Sequence, residues 1–247
     1  MNYRTSFPKI IAHQGLCVNG NKNTIPAFKA AKDAEIEMIE MDVHETRDGH
    51  FMVFHDDALH PGLPSWNQLT YAQVQALTAG DDRAPKLEDC LNAIGSLAVN
   101  IEIKHCRSVT SLVRTLSASK PPPGSVVSSF NYALLKQMHA AGVQLPLLLL
   151  VSLDRRQTLT QNLRNASICI APYFLPKFLD GLAVHYMLAH KTMIKILQPK
   201  GVTVFVWTVD DPNQMRKFIS LDVDGIVTND PQQLQALKAE TNINYAI

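Results

Sequence analysis

A single α/β domain built as a (β/α)8 TIM barrel is the fold class this sequence predicts, and three observations carry that prediction. Short apolar runs with β character alternate with helical patterns along the chain, which argues for parallel βαβ units. Eight such runs can be picked out, the number that closes a barrel. The chain has 247 residues, 46% hydrophobic and 18% charged, and barrels of this length are commonly one domain with one core. A doubly wound open sheet is the rival architecture that alternation alone leaves standing.

The strand candidates, in order, are residues 10–12, 38–43, 98–103, 126–129, 147–151, 168–170, 202–208 and 225–227. Between the first two lies "TIPAFKAAKDA", where Thr24 suits a helix cap and Pro26 the first turn. "PNQMRKFISL" and "PQQLQALKAE" use Pro212 and Pro231 in the same way. One segment breaks the rhythm. In "VHETRDGHFMVFHDD", Asp48-Gly49 sits between two alternating runs, a two-residue hairpin signal. That register pairs Arg47 with His50 and sets Asp42 opposite His55, with Cβ atoms about 4.5–5.5 Å apart on one face; a bulge would shift it by one. Residues 58–86 fit no alternation and read as a short insertion over the barrel mouth, within a single domain spanning 1–247.

Composition excludes several classes. With 23 Lys+Arg against 22 Asp+Glu the net charge is +1, so neither a nucleic-acid footprint nor a polybasic membrane surface is indicated. Cys17, Cys90, Cys106 and Cys169 are far apart without a CxxC pair and read as reduced thiols. The first residues hold no apolar stretch of signal-peptide length. The longest apolar run, "LPLLLLV" at 145–151, falls well short of the roughly 20 residues that cross a bilayer. The expectation is a cytoplasmic protein with no nucleic-acid partner and no stable membrane association.

Chemistry concentrates in two strand candidates. In "MIEMDVHE", Glu40 and Asp42 are two apart, so both point to one face, roughly 7 Å from each other. "NIEIKH" repeats the pattern with Glu102 and Lys104. If both faces line the mouth, three carboxylates and one ammonium leave a formal charge of −2, which costs several kcal/mol per group to bury uncompensated. One divalent cation with oxygen ligands, Mg²⁺ or Ca²⁺, brings the sum to zero. His13 and His55 both terminate apolar runs, where barrel active sites lie. Two imidazoles beside a metal suit proton exchange near neutral pH, as attack on a phosphodiester requires. By alternation His44 shares the Glu40 and Asp42 face further out, within reach of a substrate, and His105 points the other way.

The order His13-Gln14-Gly15, Asn23-Thr24 opening a helix, Glu40-x-Asp42, Asp48-Gly49, His55-Asp56 and Glu102-x-Lys104 resembles the glycerophosphodiester phosphodiesterase family. The likeness extends through "APKLEDCL", "SSF" at 128–130, "VWTVDDP" and "DGIVTNDP". It implies a barrel that cleaves glycerophosphodiesters to glycerol 3-phosphate and an alcohol with a divalent metal. Carried over by position, it implies metal ligation by Glu40, Asp42 and Glu102, acid–base chemistry by His13 and His55, and a phosphate contact by Lys104. Trp207 resembles an aromatic at the family's barrel mouth. The implied partner is a small-molecule phosphodiester.

Three departures stand out. The family usually has Arg where this chain has Gln14, and Pro-Glu before Asn-Thr where this chain has Asn21-Lys22. Neutral Gln14 cannot offer a charged bidentate fork to a phosphate oxygen. Lys22 is expected to reach the site and partly replace the missing charge, with Gln14 beside it as a substrate contact. The stretch "ALHPGLPSW" also lacks the Arg-Thr-Thr common after His-Asp in the family.

Overall fold

A computed structural model describes residues 7–17, 21–59, 62–78, 84–153, 160, 167–168 and 175–244. Its strands are β1 (Lys9–Ala12), β2 (Met38–Glu45), β3 (Phe51–Val53), β4 (Ala98–His105), β5 (Val126–Ser129), β6 (Leu147–Val151), β7 (Gly181–His185), β8 (Thr203–Trp207) and β9 (Gly225–Thr228). The sheet runs β1-β9-β8-β7-β6-β5-β4-β2-β3, and β1 also pairs with β2. That last pairing closes a parallel (β/α)8 barrel, while β3 is an antiparallel arm on β2 outside the ring.

Helices cover the outside: α1 (Ile25–Asp33), α2 (Tyr71–Leu77), α3 (Leu87–Ile94), α4 (Val109–Ser119), α5 (Tyr132–Ala140), α6 (Lys191–Leu197), α7 (Pro212–Ser220) and α8 (Pro231–Asn244). Their starts follow the sequence signals. Thr24 Oγ1 accepts from Ala27 N at 3.3 Å, with Pro in the first turn of α1. Asp211 and Asp230 accept from Gln214 N and Gln233 N ahead of α7 and α8.

Strand period separates two cores. Ile10, Ala12, Ile39, Met41, Val43, Val99, Ile101 and Val127 face the helices. The opposite parity fills the barrel interior with Ile11, Met38, Val126, Leu148, Leu150, Ala183, Phe205 and Val227. The amino ends of the strands share a device: the residue immediately before every second barrel strand hydrogen-bonds a backbone N–H of the strand preceding it. Glu37 takes Ile10 N at 2.7 Å, Ser125 takes Val99 N at 3.1 Å, Asp180 takes Leu147 N at 2.8 Å and Asp224 takes Val204 N at 2.8 Å.

Two expectations are corrected. Residues 168–170 are not the sixth barrel strand: Ile168 is helical, 169–170 lie outside the described residues, and the strand is Gly181–His185. "GLAVH" is short and opens on glycine, a residue depleted in strands, so its pattern carried little signal. The hairpin is one residue out of the expected register. Its pairs are Val43↔Val53, His44↔Met52 and Glu45↔Phe51. Gly49 stands at φ +85°, its N–H bonding Thr46 O at 3.0 Å, so Arg47, Asp48 and Gly49 form the loop with a glycine bulge. Asp42 therefore faces Phe54, whose N–H bonds Asp42 O at 3.0 Å, and His55 lies beyond the end of β3.

Candidate active site at the carboxyl end of the barrel

The interior parity continues past the apolar layer and turns polar. On β2 it runs from Met38 to Glu40 and Asp42, and on β4 from Asn100 to Glu102 and Lys104. Asp42 is in register with Glu102 on the neighbouring strand. One ligand oxygen from each of Glu40, Asp42 and Glu102 lies within 4.8 Å of the others, and all three residues are buried.

Each carboxylate has a distinct environment. Asp42 is the best satisfied: Lys104 Nζ is 2.9 Å from Oδ1, and the amides of Gln14 and Asn23 both donate to Oδ2 at 2.8 Å. Burial pulls its carboxyl upward, but the Lys104 ammonium, His55 and the Asn23 amide outweigh that and hold it below the ordinary carboxylate value. Glu40 receives the Gln14 backbone N–H at 3.0 Å on Oε2, while buried Oε1 has no hydrogen-bond partner among the described residues. Burial, then the charges of Asp42 and Glu102, push Glu40 well above the usual range. Glu102 Oε1 lies 2.6 Å from Lys104 Nζ without a donor aligned on it. Burial raises this carboxyl to about 7, against the pull of the ammonium and with the Asp42 charge adding to it.

Three buried carboxylates, two of them pushed toward protonation and each of those two with an oxygen that meets no aligned donor among the described residues, are what a hard cation with oxygen ligands would complete. The residues present fit a divalent ion held by Glu40, Asp42 and Glu102.

The mouth above them is a cavity of about 840 Å³. Its polar side includes His13, His55, Asp56, Asp57, Glu102 and Lys104; its apolar side includes Phe130, Leu153, Met187, Leu188 and Trp207. His13 follows β1, with Nε2 3.9 Å from Glu40 Oε2 and Nδ1 2.9 Å from Asn229 Oδ1. Burial lowers its pKa below the ordinary imidazole value, the Asn229 hydrogen bond opposing. His55 is half-exposed, its Nδ1 2.8 Å from Asp56 Oδ1. Trp207 Nε1 donates to Ala183 O at 2.8 Å, and its ring meets Phe130 and His185 edge-on at 5.6 and 5.1 Å.

The glycerophosphoryl diester phosphodiesterase family matches this chain over residues 13–233, which span every polar residue of this mouth. The chain belongs to that family. It is accordingly an enzyme of the phosphoric diester hydrolase class. A glycerophosphodiester phosphodiesterase of Caldanaerobacter subterraneus is 28% identical over 246 residues, covering 91% of this chain and 95% of the relative. The fold is shared with a glycerophosphodiester phosphodiesterase from Parabacteroides distasonis at TM-score 0.77 and 23% identity, covering 95% and 98% of the two chains. It is also shared with an Oleispira antarctica phosphodiesterase solved with the product sn-glycerol-3-phosphate, at TM-score 0.74 and 22% identity over 93% and 96%.

Not every residue expected from the family pattern lies on the mouth of this family member. Gln14 is buried, and its amide bonds Asp42 instead of turning to the cavity. It holds φ +60° ahead of Gly15, where a Cβ would approach Phe28 Cδ1 to 2.9 Å. Lys22 Nζ lies 3.0 Å from Asn229 Oδ1, which in turn meets His13. His44 is buried under the arm, its Nε2 3.3 Å from His55 O, and is not among the cavity residues; burial lowers it to about 4. His105 Nε2 meets Asn67 Nδ2 at 3.2 Å.

The described part of 58–86 packs behind the arm instead of lining the cavity: Trp66, Leu69 and Val74 bury Met52, and Trp66 Nε1 bonds Asp56 O at 2.6 Å. Sequence reasoning missed His185, Phe130, Asp210 and Asn229. The last two sit in "VWTVDDP" and "DGIVTNDP", just past the carboxyl ends of β8 and β9, and that position was the available signal.

Proposed function

We propose that this chain hydrolyses glycerophosphodiesters to glycerol 3-phosphate and an alcohol, using one divalent cation, Mg²⁺ or Ca²⁺, and a pair of histidines. The observation that carries this reading is the cluster of three buried carboxylates within 4.8 Å beneath a cavity that His13, His55 and Lys104 all line. The cation, held by Glu40, Asp42 and Glu102, would supply Lewis-acid polarisation of a phosphoryl oxygen.

The residues of the chain supply the rest. Lys104 offers its ammonium to phosphoryl oxygens while its two carboxylate neighbours keep it charged. One histidine removes the proton of the attacking hydroxyl as the new P–O bond forms, and the other protonates the alkoxide as the old P–O bond breaks. Gln14 and Asn23 orient Asp42, a supporting role in place of the phosphate contact expected for Gln14. Lys22 adds positive charge at the rim, and Trp207 flanks the alcohol. A cytoplasmic setting is supported by free Cys17, Cys90 and Cys106. Among the described residues, no helix is long and apolar enough to cross a membrane.

The test is alcohol release from glycerophosphocholine and glycerophosphoethanolamine with Mg²⁺, with Ca²⁺ and after chelation. Release that needs an added ion is expected, and release that survives chelation overturns the metal reading.

A second reading, the same chemistry on a lysophospholipid, draws on the apolar rim. Met187 is 75% and Leu153 55% exposed, and both line this cavity. A kcat/KM for lysophosphatidylcholine above that for glycerophosphocholine would favour it, and the reverse order would remove it.

A further inference from the structure

We propose that Asp210 and Asn229 are positioning residues that lock His13 in a single tautomer, so that its ring exchanges protons only at Nε2. This rests on the reading of His13 as a proton-exchanging group. The observation behind it is a chain of hydrogen bonds that leaves only one assignment of donors and acceptors.

The two ends of an asparagine amide have nearly the same shape, and only their partners tell them apart. Asn229 has an unambiguous partner at each end. Its Nδ2 lies 2.8 Å from Asp210 Oδ2, an acceptor. Its Oδ1 lies 3.0 Å from Lys22 Nζ, an ammonium with no acceptor capacity. Reversing the amide would set a carboxylate against an oxygen and an ammonium against an NH₂. The carboxylate is itself held, since Thr228 Oγ1 and Asn229 N both donate to Asp210 Oδ1, at 3.0 and 2.8 Å. His13 Nδ1, 2.9 Å from the same Oδ1, must therefore carry the hydrogen. The neutral ring then presents a bare Nε2 toward the carboxylate cluster, 3.9 Å from Glu40 Oε2. A proton can arrive at Nε2 and leave it while Nδ1–H stays on Asn229.

The geometry specifies its own test. In Asp210→Asn, the remaining oxygen still serves Thr228 Oγ1 and Asn229 N, so the new NH₂ faces Asn229 Nδ2. Turning the Asn229 amide over relieves that clash of donors, and the Lys22 ammonium, on a flexible side chain at the rim, swings away from the NH₂ it would then meet. Its NH₂ then faces His13 Nδ1, which must become an acceptor, and the ring proton moves to Nε2. The double exchange Asp210→Asn with Asn229→Asp rebuilds the chain in the original sense: the amide at 210 donates to the carboxylate at 229, which accepts from His13 Nδ1 and Lys22.

With the metal-loaded full chain and glycerophosphocholine, Asp210→Asn is expected to lower kcat by about 10²-fold or more. KM should rise by no more than about 5-fold, the change expected from displacing Lys22, so that the loss falls mainly on kcat. The double exchange should return kcat to within about 10-fold of the parent. Nitrogen-15 NMR of the imidazole in the unsubstituted chain should show the proton of neutral His13 on Nδ1, and in Asp210→Asn on Nε2. The proposal is overturned by an Asp210→Asn kcat within about 3-fold of the parent. A double exchange no better than the single at equal melting temperature would also overturn it. So would a parent His13 protonated on Nε2, a result that does not depend on any variant folding. If the unsubstituted chain releases no choline, the functional reading fails, and the NMR still decides the tautomer.

Discussion

At the amino ends of the barrel strands, Glu37, Asp180 and Asp224 each accept a backbone N–H of the preceding barrel strand; at the carboxyl ends, Glu40, Asp42 and Glu102 converge on one another. The residue types are the same and both sets adjoin the same sheet. Their partners differ. A carboxylate that meets a backbone donor is satisfied by the fold and contributes to stability. Carboxylates that meet each other, with Glu40 Oε1 unpartnered among the described residues, are a cost to the fold that a bound cation would offset. The floor acids tie each strand to the one before it, and the mouth acids form a cluster that could hold a metal ion.

Substitutions at the two ends should therefore separate activity from stability. The largest effect belongs to the mouth: Glu40→Gln should lower kcat/KM for glycerophosphocholine by about 10²-fold or more. Its ion-free melting temperature should match or exceed the parent, because the amide, like the protonated acid that burial favours, sets no charge beside Asp42 and Glu102. A large fall in ion-free stability would break the comparison. At the floor, Asp224→Ala orphans Val204 N and Asp180→Ala orphans Leu147 N. Each should cost about 1–3 kcal/mol in denaturant unfolding, with kcat unchanged. Loss of activity without loss of stability there would reverse the assignment.

The pH dependence of the ion-free chain is a smaller effect, and its sign is determined. Glu102 has a folded value of about 7, above the ordinary 4.5, through burial first. A raised acid favours the fold while protonated, and that contribution is lost as pH rises from about 4.5 through about 7. The ion-free melting temperature should fall across this window. The increment that Mg²⁺ or Ca²⁺ restores should grow, since the ligands must be deprotonated. A flat profile would show the cluster to be better compensated than its geometry implies. The smallest effect is at the rim. Lys22→Ala removes a partly solvated ammonium and should raise KM by about 2- to 5-fold, an effect weaker at high salt. Unchanged kcat and KM would remove Lys22 from the site.

What could be read in the sequence followed strand and helix periods. Glu40 with Asp42, and Glu102 with Lys104, share faces because strand side chains alternate, and that rule survived into the structure intact. The cap at Thr24 and the first-turn prolines Pro212 and Pro231 were equally local. The hairpin register was not, because Gly49 at φ +85° adds a residue to the loop, and a dipeptide does not distinguish the two loop lengths. The β7 strand escaped because "GLAVH" has too few residues for a period to register. Gln14 was assigned to a substrate by what it replaces, yet its amide answers a carboxylate on another strand. The chain from His13 through Asn229 to Asp210 joins positions separated by 216 and 19 residues, brought together by the pairing of β1 with β9 and of β9 with β8.

If inward-facing carboxylates on neighbouring strands hold one divalent ion, calorimetric titration will count it. Chelator-treated chain should bind a single Mg²⁺ or Ca²⁺ per molecule, and the double variant Glu40→Gln with Glu102→Gln should bind none at the same concentrations. Undiminished binding by that variant, or no binding by the unsubstituted chain, would contradict that assignment.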